Sequence, residues 1–215
     1  MGSPIAVGMS KPVLYASNTP NGLKPLLLLE ELEIPYELSK INLSKGEQKT
    51  ASFHEKNLND RIPVLDTEID GVPISIAESA AILIHLAETH DHRFFPASGA
   101  AHVRVLQWTF FQMSAVGPMF GQLGYWRRRE VKNTEAIERY EVETKRVYGV
   151  LNEQLGRTPY LAGESYSIAD MATVFWARGF GYLGLTLEDW PHVARWLRDL
   201  EARPAMQRTL AIRWT

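Results

Sequence analysis

"IPVLDTEIDGVPISIAESAAILIHLAETH", Ile62 to His90, decides the fold. Two short runs rich in β-branched residues, IPVLD (Ile62 to Asp66) and VPISI (Val72 to Ile76), flank the turn-forming pair Asp70-Gly71. Asp-Gly between two such runs predicts a β-hairpin. The stretch that follows, ESAAILIHLAETH (Glu78 to His90), carries a nearly continuous apolar side, the pattern of a helix laid on a sheet. The segment therefore reads strand, strand, helix.

Outward toward the N-terminus, PVLYA (Pro12 to Ala16) predicts a strand, the apolar run over 23–33 a helix, and YELSKINL (Tyr36 to Leu43) a second strand. Strand, helix, strand ahead of strand, strand, helix is the order of a thioredoxin-like α/β domain. The mouth of the first helix is crowded with turn chemistry, SNTPNG from Ser17 to Gly22. Hydroxyl caps and a first-turn proline are ordinary helix punctuation. A helix N-terminus also presents unpaired N–H groups and a partial positive charge, so the same stretch is a candidate anion site. Toward the C-terminus, RFFPASGAA (Arg93 to Ala101) marks a boundary, and helical periodicity dominates beyond it. Helices are expected over 101–126 with Pro118 as a kink, 133–155, 167–182 and 191–202, with a shorter one after Pro204. The predicted organisation is an α/β domain over 11–91, a linker over 92–100 and an all-α domain over 101–215.

Composition narrows the function classes. The 215 residues carry 23 Lys plus Arg against 25 Asp plus Glu, a net charge of −2, so no global field recruits nucleic acid or an anionic membrane. No apolar run approaches the roughly 20 residues needed to span a bilayer. The opening MGSPIAVGMS has no basic n-region or sustained apolar core and reads as an expression leader, with Met9 as a candidate natural start. A cytoplasmic protein is expected. Cysteine is absent altogether, which removes disulfides, thiolate metal sites and a protein thiol nucleophile. Any sulfur chemistry must therefore bring its sulfur in a ligand. His85, His90, His92 and His102 show no pairing with carboxylates at metal-site spacing, and no metal is expected.

Seven stretches in order, TPNGLK (Thr19 to Lys24), LSKGEQK (Leu43 to Lys49), RIPVL (Arg61 to Leu65), ESAAILIHLAE (Glu78 to Glu88), LQWTFFQMSAVGPMFGQ (Leu106 to Gln122), IERYEVETKRVYGVLN (Ile137 to Asn152) and YLAGESYSIADMA (Tyr160 to Ala172), resemble the cytosolic glutathione transferases, above all the nu class and the fungal nitrogen-regulator-like (Ure2p-like) members. The resemblance runs from Pro12 to about Ala211. It implies a thioredoxin-like N-terminal domain followed by an all-α C-terminal domain, glutathione as bound substrate in reduced or oxidised form, and a homodimer. The partners implied are a small-molecule thiol with a disulfide or electrophile, and neither nucleic acid nor membrane.

By the same resemblance, the Ile62-Pro63 bond is cis and Ile62 pairs with the cysteinyl unit of glutathione in a one-residue strand addition. On the sequence alone trans is favoured, since an X-Pro bond is cis in only about 5–6% of cases. Glu78 and Ser79 are implied to hold the γ-glutamyl end, Ser79 its carboxylate and Glu78 its ammonium. Without that context an acidic residue beside a helix start is merely a dipole partner. Thr19 and Asn21 match the positions beside the glutathione sulfur and are the implied catalytic residues; Ser17 is a rival hydroxyl that more simply closes the first strand. Gln48 is implied to meet the glycine end, and Arg139 either a second glutathione or a carboxylate of its own charged helix.

Two departures from the family pattern stand out: Leu58 and Asp60 occupy positions usually proline and glycine, and Leu123 to Trp126 replace an asparagine–histidine pair. Ser167 and Asp170 have capping-box spacing, with Tyr166 and Met171 placed for a hydrophobic staple. Met113, Met119, Phe110, Phe111 and Phe120 form an apolar set around Pro118, and the run from Arg127 to Arg129 reads as a solvated face. The expected activity is glutathione-dependent reduction of small disulfides. Conjugation of hydrophobic electrophiles, or a non-catalytic glutathione-fold binding module, are the alternatives.

Overall fold

Four short strands, β1 (Val13–Ala16), β2 (Glu37–Lys40), β3 (Val64–Ile69) and β4 (Val72–Ala77), form one mixed sheet in the order β2-β1-β3-β4 in a computed structural model that describes residues 11–214. The decapeptide read above as a leader lies outside the described residues. β1 runs parallel to β2 and antiparallel to β3, and β3 and β4 make the expected hairpin across Asp70-Gly71, both of which adopt positive φ. A parallel β1–β2 pair requires a crossover, and α1 (Pro20–Leu32) supplies it. Leu26, Leu27, Leu28 and Leu29 of α1 are all fully buried, because the helix is covered on more than one side: by α3 (Ser79–Glu88) in its own half, and by α7 (Ile168–Ala177) and α9 (Pro204–Ala211) from the other. The result is a thioredoxin-like α/β domain followed by a helical one.

Several element bounds differ from the sequence reading. α1 starts at Pro20 rather than 23, since the Thr19 side chain accepts from the Gly22 N–H and Pro20 needs no N–H partner in the first turn. β2 stops at Lys40 because Asn42 caps a 3₁₀ turn over Leu43–Lys45. A second 3₁₀ turn (Glu47–Lys49) and the short α2 (Ala51–His54), capped by Thr50, lead back to β3; periodicity has no purchase on elements of three or four residues.

The long helix expected over 101–126 is α4 (Gly99–Phe111), a π segment (Gln112–Val116) and α5 (Gly117–Arg128) in one continuous rod. Pro118 has no N–H and its ring crowds the carbonyl four residues back, so the wider π turn absorbs at 112–116 what was read as a kink at 118. α6 (Thr134–Arg157) is capped by Asn133, and α8 (Pro191–Glu201) buries Trp196. The helix expected over 167–182 ends at Ala177, and turns carry the chain on to α8. At the start of α7, Asp170 accepts from the Ser167 N–H and hydroxyl, from the Leu161 N–H and from the Trp196 indole. It is fully buried, and that burial raises its pKa to about 6 against the lowering effect of these hydrogen bonds. Phe110 of the apolar set is exposed, Phe120 is in the core, and Phe111, Met113 and Met119 pack against it.

Candidate functional site

The sheet register brings three distant stretches to one edge. Tyr15 pairs with Val64 and Val64 with Ala77, so the segments leaving β1, entering β3 and leaving β4 lie side by side. These are the segments that carry Thr19, Ile62-Pro63 and Glu78-Ser79. The Ile62-Pro63 bond is cis, as the resemblance implied and the residue pair alone did not. Glu78 sits at φ 68 ahead of α3, a left-handed conformation uncommon for a side chain of its size, and conformations of this kind concentrate at ligand sites.

Next to this edge a cavity of about 780 Å³ opens between the two halves of the chain, within the range of small-molecule sites. Its near wall is Asn18, Thr19, Pro20 and Asn21 at the mouth of α1, with Gln48, Asp60, Arg61 and Ile62; its far wall comes from α5, α7 and the turns after α7. Thr19 caps α1 with its oxygen at 3.2 Å from the Gly22 nitrogen, which leaves the O–H free to donate. Ser17 is not in the lining: its backbone oxygen instead accepts from the Thr19 N–H at 2.7 Å. The Asn21 Oδ1 accepts from the Trp176 indole N–H at 2.9 Å, tying the α1 mouth to α7. Gln48 lines the cavity, and its buried Oε1 has no partner among the described residues. An orphaned acceptor in a cavity wall is a place for a donor from a ligand.

Not every candidate reaches this cavity. Pro63, Glu78 and Ser79 lie along the sheet edge and outside the lining, Ser79 buried and Glu78 exposed. Arg139 is exposed on α6, away from the lining, and makes none of the ion pairs found among the described residues; Glu141 and Glu143 pair instead with Arg127, Lys145 and Arg146. Asp60, where the family pattern has glycine, adopts φ 53 and pairs with His54 at 2.9 Å, so the backbone shape survives the replacement at a residue type that tolerates it.

Two charged residues have places that the sequence did not assign. Arg128 is exposed, in keeping with a solvated run, and it also lines the cavity with its guanidinium 4.4 Å from the centre of the Tyr182 ring. Helical phase explains this: Gly121, Gly124 and Arg128 share the face of α5 that meets the turns after α7. The second is Lys24, a lysine with no exposure at all. Its Nζ donates to Gln112 Oε1 at 2.7 Å and lies 3.4 Å from Ser79 Oγ. Burial lowers its pKa to about 7, and the Glu78 carboxylate acts in the opposite direction. Its signal in the sequence was a charge inside the otherwise apolar run GLKPLLLL.

Comparison with known proteins bears on both halves. The model of the glutathione S-transferase N-terminal domain matches residues 19–89, and that of the C-terminal domain residues 102–204. The disulfide-bond oxidoreductase YfcG of Escherichia coli is 39% identical over 201 residues, covering 92% of this chain and 93% of its own. A Burkholderia graminis glutathione transferase, solved with two glutathione molecules bound per subunit, superposes with a TM-score of 0.87 at 37% identity over 93% of this chain and 87% of that one. Ure2p in complex with glutathione superposes at 0.88 with 29% identity, covering 94% and 99%.

Proposed function

The chain belongs to the glutathione S-transferase family, and from that premise we propose that it binds glutathione, activates its thiol and uses it to reduce small disulfides. The observation that carries the proposal is the cavity at the N-terminus of α1, walled by the Thr19 hydroxyl in a chain without a single cysteine. A free thiol has a pKa of about 8.5, and a helix N-terminus with a hydroxyl donor lowers it. Thr19 is the donor to the thiolate and Asn21, its carboxamide oriented by Trp176, stands beside it; these two are the catalytic residues of the proposal. Ile62 and Pro63 present the edge that pairs with the cysteinyl unit. Gln48 takes the glycine end, Ser79 the γ-glutamyl carboxylate and Glu78 its ammonium. Arg139, exposed on α6, is assigned to a second glutathione.

Without a protein thiol, both electrons of the reduction come from bound ligands. One glutathione thiolate attacks a sulfur of the substrate disulfide, forming a mixed disulfide and expelling one substrate thiolate, which takes up a proton. A second glutathione thiolate attacks the glutathione sulfur of that mixed disulfide. It releases the other substrate thiolate, likewise protonated, and leaves glutathione disulfide. Two glutathiones bound per subunit in the Burkholderia relative, and the disulfide-bond oxidoreductase name of the Escherichia coli one, favour this reading over conjugation. The test is a side-by-side assay of a small disulfide and an aromatic chloride with glutathione. Faster disulfide reduction is expected, and brisk conjugation with no disulfide turnover overturns the reaction class.

The same proposal assigns 11–91 to glutathione binding and 101–215 to the helical domain, with 92–100 between them, and takes the protein to be a cytoplasmic homodimer. No helix among the described residues is long and apolar enough to cross a membrane, and the cytosolic thiol pool is the source of reduced glutathione. Exposed apolar side chains on β4 (Val72, Ile74) and α4 (Val103, Phe110) support a second copy packing there. Light scattering at micromolar concentration should give twice the 24.4 kDa chain mass; a single chain mass removes the dimer.

A further inference from the structure

Lys24 is a buried cation that the proposed chemistry does not use. It leaves α1 and ends between Ser79, the first residue of α3, and Gln112, the first residue of the π segment. Both are uncharged acceptors, and no carboxylate lies within ion-pair distance of its Nζ among the described residues. A protonated lysine has three donors and a strong demand for a counter-charge when buried. The elements packed around α1 offer little to meet it. Glu30 and Glu31, farther along α1, are engaged by Arg208 of α9 and by Arg203 just ahead of it, and Asp170 of α7 is held by Leu161, Ser167 and Trp196. His85 of α3 has a lowered pKa from burial and is not among the groups acting on Lys24. Among the described residues, the Glu78 carboxylate is the charged group that acts on it, favouring the ammonium form.

We propose that Lys24 is a positioning residue for the γ-glutamyl end of glutathione, its buried amine taking up a proton as the ligand's α-carboxylate docks on the Ser79 hydroxyl. The inference rests on the assignment of Ser79 to that carboxylate. A negative charge arriving at the Ser79 hydroxyl comes next to Nζ in a site of low polarity, where Coulomb attraction is strongest. The ammonium form then gains a nearby counter-charge, where the free protein offers only the Glu78 carboxylate beyond ion-pair distance. The Gln112 carboxamide holds Nζ in place, so that the helical half of the chain also stands behind the γ-glutamyl subsite. Because binding and protonation favour each other, affinity falls as pH rises above neutrality.

The test is titration calorimetry with S-methylglutathione, which has no ionisable thiol, in two buffers of different ionisation enthalpy. At pH 7.5 the wild type should take up roughly half a proton, and at pH 5.5, where Lys24 is already charged, none. Lys24→Met should bind at least about tenfold more weakly at pH 7 with no proton uptake, and Lys24→Arg should recover affinity without uptake. Equal uptake in wild type and Lys24→Met, or unchanged affinity in Lys24→Met, overturns the proposal. If Lys24→Met does not fold, the wild-type proton count decides alone, and no uptake at pH 7.5 overturns it. Ser79→Ala and Glu78→Ala separate the two readings: if they weaken binding while Lys24→Met does not, the lysine proposal alone fails, and if neither weakens it, the γ-glutamyl assignment itself has failed.

Discussion

Thr19 does two jobs with one hydroxyl. Its oxygen accepts from the Gly22 N–H at 3.2 Å, which fixes where α1 begins, and its proton remains to be donated into the cavity. Thr19→Ala removes both. Loss of the cap costs about 1 kcal/mol of stability. Loss of the donor to the thiolate should lower disulfide reduction roughly 10- to 100-fold, as expected for about 1.4–2.7 kcal/mol of transition-state stabilisation. Ser17→Ala, two residues away and outside the cavity lining, is the control and should retain activity. Steady-state assay of both variants with a small disulfide makes the comparison; an inactive Ser17→Ala beside an active Thr19→Ala moves the thiolate partner to Ser17.

At the scale of elements, the α1 mouth depends on a close approach. A Cβ at Gly22 would stand 2.3 Å from the Ser17 backbone oxygen, closer than any atom pair of that kind tolerates. Elsewhere in a helix, Gly→Ala stabilises by up to about 1 kcal/mol. Here Gly22→Ala should instead destabilise by about 1–3 kcal/mol, because β1 and α1 must separate to admit the methyl group, and Thr19 moves with them. Urea unfolding with an unchanged m-value and a lower midpoint is the expected readout. A net gain in stability would mean that the turn relaxes without strain. The π segment has a comparable structural role on the other half: it accommodates Pro118 and sets Gln112 at the point where Lys24 arrives.

Across the whole molecule, the two halves are joined by polar contacts at an otherwise apolar seam. Arg203 grips Glu31 through two hydrogen bonds of 2.6 and 2.9 Å, Trp176 binds Asn21, and Lys24 reaches Gln112. Lys24 makes stability depend on pH. The unfolded chain holds that proton up to about 10.5 and the folded one only to about 7, so between these values the unfolded state binds more protons and folding strengthens as pH rises. Each unit of that separation corresponds to about 1.4 kcal/mol. Lys24→Met removes this dependence. Urea midpoints measured from pH 7 to pH 9 should therefore rise for the wild type relative to Lys24→Met, and parallel profiles would show that the lysine keeps its proton when folded.

The sequence by itself determined the order of the main strands and helices, the Asp70-Gly71 hairpin and the Ser167–Asp170 pairing, because each rests on residues close together in the chain. The motifs around Thr19, Ile62 and Glu78 were legible too, and sheet register then set their segments side by side. What sequence could not decide was which face of a helix meets the other half of the chain. Arg128 is exposed and still reaches the cavity because α5 packs against the turns after α7, and the choice for Arg139 between a ligand and a carboxylate of its own helix was open in the sequence, while α6 leaves it exposed and outside the ion pairs found among the described residues. Lys24 passed unnoticed in an apolar run because its partners, Ser79 and Gln112, lie 55 and 88 residues away. Whether a buried charge has a counter-charge depends on groups brought together through space, and only the tertiary structure brings them together.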